Sequence, residues 1–214
     1  MRQCFSIGLF ALLVLSLPGC GGFRDTKPQL PGNLDTLCMP DYASGFEMYR
    51  YDSSTLLRIV NPWQGADSVS QWVFLSRDDE KPPKGFAGET IDVPVRRIVC
   101  MSSSYVAFLE ALGADSTICA ISGTGYIWSD KVRNRIAGGE IAEAGFDNSL
   151  NFEKLVALKP DVVFLYGLTG KNAVTDKLHE LGLKTVYIGD YVENNPLGRA
   201  EWITVFGEFT GRRE

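Results

Sequence analysis

Three consecutive serines, Ser102, Ser103 and Ser104, stand directly before a stretch of helical periodicity. Hydroxyls and free backbone amides in that position can hold a ligand carboxylate or phosphate, or they can cap the helix. Two aromatic-bearing stretches share the setting: Tyr126 and Trp128 lie in 123–128, and Tyr166 opens 166–171, each just after an apolar, strand-like run. Aromatic faces there can cover a flat ring system, or the tyrosines can be ordinary half-buried loop residues. His179 is the only histidine and lies in a polar helical stretch. A zinc site built from several histidines is therefore excluded, and a Ser-His-Asp triad would have to reach away from these loops. No Gly-x-Gly-x-x-Gly opens a helix after a strand, and no phosphate loop ends in Gly-Lys-Ser/Thr. Gly123-Thr124-Gly125 is only a two-glycine turn, so nothing in the chain favours an enzyme.

The start of the chain carries chemistry of another kind. Arg2 is followed by an uncharged apolar run over 5–17, too short to span a bilayer as a helix and of the right length for a signal-peptide core. Leu17-Pro18-Gly19-Cys20 closes this run and resembles the lipobox of bacterial lipoproteins, which implies cleavage before Cys20, lipidation of that cysteine and a membrane anchor; the other reading is a plain signal peptide with an incidental cysteine. Residues 20–40 are Gly, Pro and polar residues with scattered apolar side chains, and read as a flexible tether. Removal of 1–19 takes away Arg2 and no acid, leaving 20 basic and 26 acidic residues and a formal charge of −6. That balance argues against nucleic acid as a partner, because phosphate binding rests on Lys and Arg. Cys38, Cys100 and Cys119 give no disulfide framework; Cys100 and Cys119 sit in apolar runs, as buried thiols or as a disulfide pair.

Elements of regular structure must position these residues. Strand-like runs cover 46–51, 55–60 and 69–75, separated by Asp52-Ser53-Ser54 and by Asn61-Pro62-Trp63-Gln64-Gly65, which predicts a small antiparallel β-meander over 41–90. Trp63 in its turn can pack that sheet onto the next unit. From Val95 onward, apolar runs at 97–101, 117–122, 161–166 and 184–188 alternate with helical periods at 104–112, 130–136, 152–158 and 172–181. Parallel strands joined by crossover helices have this pattern, so 91–191 is expected to be an α/β lobe. Gly113 and Gly182 stand where helix C-caps are wanted, Asn151 where an N-cap is wanted, and Pro160 just past a helix end. Asn195-Pro196 opens a last helix carrying Leu197, Ala200, Ile203, Val205, Phe206 and Phe209. The carboxyl ends of the parallel strands bring 102–105, 123–128 and 166–171 together as the expected ligand face.

Arg97-Ile98-Val99-Cys100-Met101-Ser102-Ser103-Ser104 with Ala111-Leu112-Gly113-Ala114 resembles the first strand and helix of the siderophore, haem and cobalamin class of periplasmic binding proteins. Asn151-Phe152-Glu153-Lys154-Leu155-Val156-Ala157-Leu158-Lys159-Pro160-Asp161-Val162-Val163, then Leu181-Gly182-Leu183-Lys184-Thr185-Val186, look like later passages of that family. Asn195-Pro196-Leu197-Gly198-Arg199-Ala200-Glu201-Trp202 is similar to the start of its long interlobe helix. The turn Asn61-Pro62-Trp63-Gln64-Gly65-Ala66 resembles the extra N-terminal sheet of members from Bacteroides-like bacteria.

The resemblance implies a Rossmann-like first lobe of a two-lobed binding protein, with 192–214 as the start of the interlobe helix and the second lobe beyond the 214 residues given. It implies a fragment, an interrupted gene or a separately encoded second lobe, the first being favoured, with a bridge that leaves Ile203, Phe206 and Phe209 uncovered. Function follows as an expectation: a lipoprotein without catalysis or cofactor that captures a ferric siderophore, haem or cobalamin and delivers it to an ABC permease. By the same resemblance, Tyr126 and Tyr166 fall at aromatic ligand contacts and Ser103 and Ser104 join them. Asn172 falls where an acidic residue docks onto the permease. Asp176 and Glu180, at helical spacings of four from Asn172, could substitute or be plain solvated charge. A surface-anchored interaction protein whose meander binds a receptor is the other expectation.

Overall fold

Short runs rich in β-branched and aromatic residues, broken by polar turns, fill 46–75, and the computed structural model, which describes residues 34–146, 149–167 and 173–212, folds that segment into a sheet. Its strands are β1 (Asp35–Cys38), β2 (Phe46–Tyr51), β3 (Ser54–Val60), β4 (Ser70–Ser76) and β5 (Glu89–Asp92), adjacent in that order. The first four are antiparallel, while β5 returns parallel to β4. The register pairs Met48 with Leu57 and Leu57 with Val73, so one face presents Phe46, Met48, Leu57, Ile59, Val73, Leu75 and Ile91 to the core. On the other face Phe74 lies edge-on to Tyr51 and to Phe86, so the sheet buries apolar residues on both faces.

Two of these strands differ from the sequence reading. β1 lies within the stretch read as tether, and β5 straddles the boundary read between meander and lobe, where no strand was expected. Both are four-residue edge strands, and an edge strand needs few apolar residues because neighbours cover it on one side only.

The second sheet is wholly parallel and ordered β10-β9-β6-β7-β8, with β6 (Ile98–Cys100), β7 (Ile118–Ile121), β8 (Ala142–Glu143), β9 (Val162–Leu165) and β10 (Thr185–Tyr187). Helices α1 (Ser103–Ala111), α2 (Asp130–Ala137), α3 (Phe152–Leu158) and α4 (Ala173–Glu180) alternate with these strands along the chain. The glycines read as caps close their helices by paired backbone bonds. Ala114 N–H donates to Leu109 O at 2.7 Å and Gly113 N–H to Glu110 O at 2.9 Å; Leu183 and Gly182 repeat the arrangement on Leu178 and His179. Gly113 and Gly182 have φ of +62° and +75°, a conformation that costs glycine little. Asn151 caps α3 by accepting from Lys154 N at 3.0 Å. Cys100 and Cys119 pack on opposite sides of the sheet and are free thiols.

The last helix is not one long rod. It divides into α5 (Pro196–Glu201) and α6 (Ile203–Thr210) at Trp202, and Gly211, at φ +69°, ends α6. The expectation that Phe206 and Phe209 stand uncovered is corrected: both are fully buried, and Ile203 is half-buried. Their rings meet Phe164 of β9 at 4.9 Å, and Phe206 also meets Tyr105 and Phe108 of α1. Burying one such ring contributes about 1.5–3 kcal/mol, whereas eight residues alone would not sustain a helix. Packing therefore holds α6 in place, and the meander and the parallel sheet share one core through it.

Two polar devices hold the meander in place, one on the parallel sheet and one on α6. Gln71 of β4 reaches the outer edge of β10, where its amide donates to Thr185 O and accepts from Tyr187 N, each at 2.9 Å. Glu208 of α6, nearly buried, bonds Arg77 at 2.9 Å and accepts from Thr55 Oγ1 at 3.0 Å.

Candidate functional site

In a parallel sheet, loops converge at the carboxyl ends of the strands, and a crevice opens where consecutive connections leave in opposite directions. Here that point lies between β6 and β9: the chain runs outward from β6 to β7 and β8, then returns past β6 to β9 and β10. Ser102, Ser103 and Ser104 follow β6, and Tyr166 and Gly167 follow β9.

Ser102 is the N-cap of α1. Its Oγ accepts from Ser104 N at 3.4 Å and lies 3.0 Å from Ser104 Oγ. Ser103 is exposed in the first turn, and the Ser104 hydroxyl also bonds Asp190, just beyond β10. Burial pushes the Asp190 carboxyl above the usual range, and bonds from Ser104 and from the backbone N–H groups of Tyr191 and Asp190 only partly oppose it. Tyr105 is buried, and its hydroxyl donates toward Leu165 O and Ile188 O, both at 3.2 Å, tying α1 to the ends of β9 and β10. Tyr166 is half-buried and packs against the buried clusters on both sides of the sheet.

Trp63 takes the packing role open to it. It bridges Gly167 and meets Tyr187 edge-on at 5.0 Å; a side chain at Gly167 would come within 2.9 Å of its ring. The Tyr191 hydroxyl donates to Gly167 O, which pins the same turn from the other side.

Beyond β7 the chain makes a tight 3-10 turn, Thr124–Tyr126, entered through Gly123 at φ +77°. Tyr126 is 69% exposed and Trp128 90% exposed. Phe146, in the loop after β8, is 52% exposed and stands edge-on to Tyr126 with ring centroids 6.5 Å apart. Glu143 organises both loops, accepting from Gly123 N, Thr124 N, Thr124 Oγ1 and Gly145 N at 2.7–2.9 Å. Burial pushes its carboxyl up, but the bonds from Thr124, Gly123 and Gly145 outweigh this and hold it below its ordinary value. A lowered carboxylate pKa means that this ordering is present at neutral pH and is lost as pH falls through that lowered value.

The rim so formed runs along five strand ends. β7 and β9 flank β6, so the Tyr126 and Tyr166 loops are separated by roughly 10 Å, two strand spacings. A ligand touching both is wider than a simple anion.

A family model described as periplasmic binding protein matches residues 98–214. The chain belongs to the periplasmic binding protein family. The family expected from the serine-bearing strand, the α3-to-β9 passage and the Asn195-Pro196 helix start is the family found.

Two relatives of this periplasmic binding protein are uncharacterized lipoproteins of Methanocaldococcus jannaschii. One is 28% identical over 98% of this chain and 57% of its own length; the other is 30% identical over 87% and 46%. The chain thus spans about half the length of the curated relatives it matches. A petrobactin-binding protein from Bacillus subtilis aligns with a TM-score of 0.45 at 12% identity, covering 74% of this chain and 46% of that one.

Within the periplasmic binding protein the remaining expected positions separate. Cys20 and Asn172 lie outside the described residues. Asp176 is exposed on the outer face of α4, whose inner face buries Thr175 and Leu178. Glu180, also exposed, pairs with Lys177 at 3.0 Å. His179 is exposed, as its polar surroundings suggest, yet its Nε2 lies 2.6 Å from Thr185 Oγ1 and 3.4 Å from Glu89. No cluster of three or more metal-ligating side chains occurs among the described residues.

Sequence reasoning did not find Glu143, Phe146 and Asp190. Asp190 had a readable signal, an acid two residues past the apolar end of a parallel strand. Glu143 had none, since the partners that tie it to the Tyr126 turn lie 19 and 20 residues earlier in the chain.

Proposed function

We propose that the chain forms the first lobe of a solute-binding lipoprotein that captures a large ring-bearing iron complex, a ferric siderophore or haem, or cobalamin, and delivers it to an ABC permease. The observation that supports this reading is the rim itself: exposed Tyr126 and Phe146 beyond β7 and β8, and Tyr166 with Ser103 and Ser104 at the switch point. Broad exposed aromatic faces suit a flat, partly apolar ligand, because stacking and burial both scale with ring area. The outward-facing Asp176 supplies a charge where a permease would dock, and Cys20 supplies the anchor.

Tyr126 gives a clean test because its exposed ring contributes little to the core. Tyr126→Ala should weaken the binding of whichever of haemin, cyanocobalamin or a ferric catecholate binds best by about 1–2 kcal/mol, roughly five- to thirtyfold. Tryptophan-fluorescence titration measures this, and unchanged affinity in a folded variant for all three ligands would reject the aromatic rim as the ligand face.

The anchor is tested separately. Intact mass spectrometry of membrane-extracted protein should find a diacyl or triacyl group on Cys20 at a new N-terminus. An unmodified N-terminus on a soluble mature chain would sink that part of the reading.

A further inference from the structure

Glu143 is the last residue of a two-residue edge strand, yet it touches both loops that carry the exposed aromatic pair. Oε1 accepts from Gly123 N and from Gly145 N, each at 2.9 Å; Oε2 accepts from Thr124 N and Thr124 Oγ1, each at 2.7 Å. Four donors fill the four lone-pair directions of one carboxylate. All are neutral peptide or hydroxyl groups, so the single negative charge strengthens every bond in the set.

Each loop closes on itself, Tyr126 N donating to Gly123 O at 2.9 Å and Ser149 N to Phe146 O at 2.7 Å, while Ala144 N donates to Ile121 O at 2.8 Å where the strands end; Glu143 adds the side-chain tie between the two turns. Gly123 enters the Tyr126 turn at φ +77°, and Gly145 precedes Phe146 at φ +87°. Both are glycine conformations that carry no side chain to pack, and both are crowded. A Cβ on Gly123 would come within 2.8 Å of the Tyr126 ring, and one on Gly145 within 2.4 Å of Ser149 O. The Oε1 atom shared by Gly123 and Gly145 ties the two turns together beyond the last rung of the β7–β8 ladder, next to the 6.5 Å edge-on approach of Tyr126 and Phe146.

We propose that Glu143 is a positioning residue that fastens the loops after β7 and β8 into one unit, so that Tyr126 and Phe146 act together as a single aromatic wall of the ligand site. The wall's use by a ligand rests on the rim reading given above; the fastening itself does not. Phe146 thereby joins Tyr126 as a binding residue, and the wall selects ligands that present a ring edge or face across both side chains.

The test compares Glu143→Gln with the unaltered chain. The amide keeps the side chain's shape but turns an NH2 group toward two of the four donors. At pH 7, hydrogen exchange at the Gly123, Thr124 and Gly145 amides should quicken by about tenfold or more. Val99 and Val163, in the buried strands, should exchange as before, and nuclear Overhauser contacts between the Tyr126 and Phe146 rings should weaken. Haemin, cyanocobalamin and a ferric catecholate serve as probes, and the one that binds best should lose about fivefold or more in affinity in Glu143→Gln and in Phe146→Ala alike. Unchanged exchange and ring contacts in Glu143→Gln would overturn the fastening role. Loosened loops with unchanged affinity for every probe would leave the fastening intact and overturn the wall as a ligand surface. Quickened exchange at Val99 and Val163 as well would show a general stability role and overturn positioning.

Discussion

Trp202→Ala should cost about 3–5 kcal/mol of folding stability, a large share of the roughly 5–15 kcal/mol of a typical domain. Trp202 is the largest fully buried side chain and stands where α5 ends and α6 begins. Its ring meets Phe46 of β2 at 5.0 Å, edge-on, and its indole N–H donates to Glu193 at 3.1 Å. The walls around it are partly bare backbone: a Cβ on Gly45 would lie 2.7 Å from the ring, and one on Gly189 at 3.4 Å. Glycine walls have no side chains to swing into a vacated space, so the cavity should persist and the cost should fall at the upper end. Urea denaturation followed by circular dichroism measures it. A loss under about 1 kcal/mol would mean that the site collapses freely.

Glu193→Ala should be the second most damaging change, at about 2–4 kcal/mol, because it strands several donors at once. The Glu193 carboxylate is nearly buried and accepts from Ser44 N, Ser44 Oγ, Gly45 N and Trp202 Nε1 at 2.9–3.1 Å. Glu201 holds the preceding amides of Asp41, Tyr42 and Ala43 in the same manner, at 2.6–3.0 Å, but nearer to solvent. Two acids from the end of the chain thus clasp the approach to β2. Losing the inner one should loosen 39–45, so limited proteolysis of the variant should cut there before any cut in the parallel sheet. Glu201→Ala should cost less, since water replaces its partners. Because Glu193 and Trp202 bond each other, their double variant should fall short of the sum of the singles by more than about 0.5 kcal/mol. Strict additivity would show that the indole bond carries no energy.

The contrast between α3 and β8 shows what the residues themselves reveal. α3 occupies the span read for it because Asn151 caps one end and Lys159-Pro160 closes the other, signals contained within a few residues. β8 has two residues, and its existence depends on the neighbouring edge of β7. β1 and β5 were hidden for the same reason. The burial of Phe206 and Phe209 was misread because a helical stripe announces that it needs a cover without saying which surface supplies it. The placement of Ser103, Ser104, Tyr126 and Tyr166 just beyond strand ends was visible because strand ends in a parallel sheet are predictable from the strands. Glu143 was not, because its tie to the Tyr126 turn runs through hydrogen bonds to Gly123 and Thr124, remote in sequence, and no local spacing encodes such a bond; Asp190 stood at a readable strand end and was passed over.

Gln71 has a consequence for the company the molecule can keep. The outer margin of β10 would otherwise offer an open ladder of peptide groups, a template on which any extended segment could add itself. A single side-chain amide occupies two of the groups such a segment would seek, serving as a strand one residue long. The opposite margin, β8, is too short to seed a lasting pairing. The parallel sheet is therefore closed to growth at both ends without being a barrel, and copies crowded together have no exposed ladder there through which to polymerise.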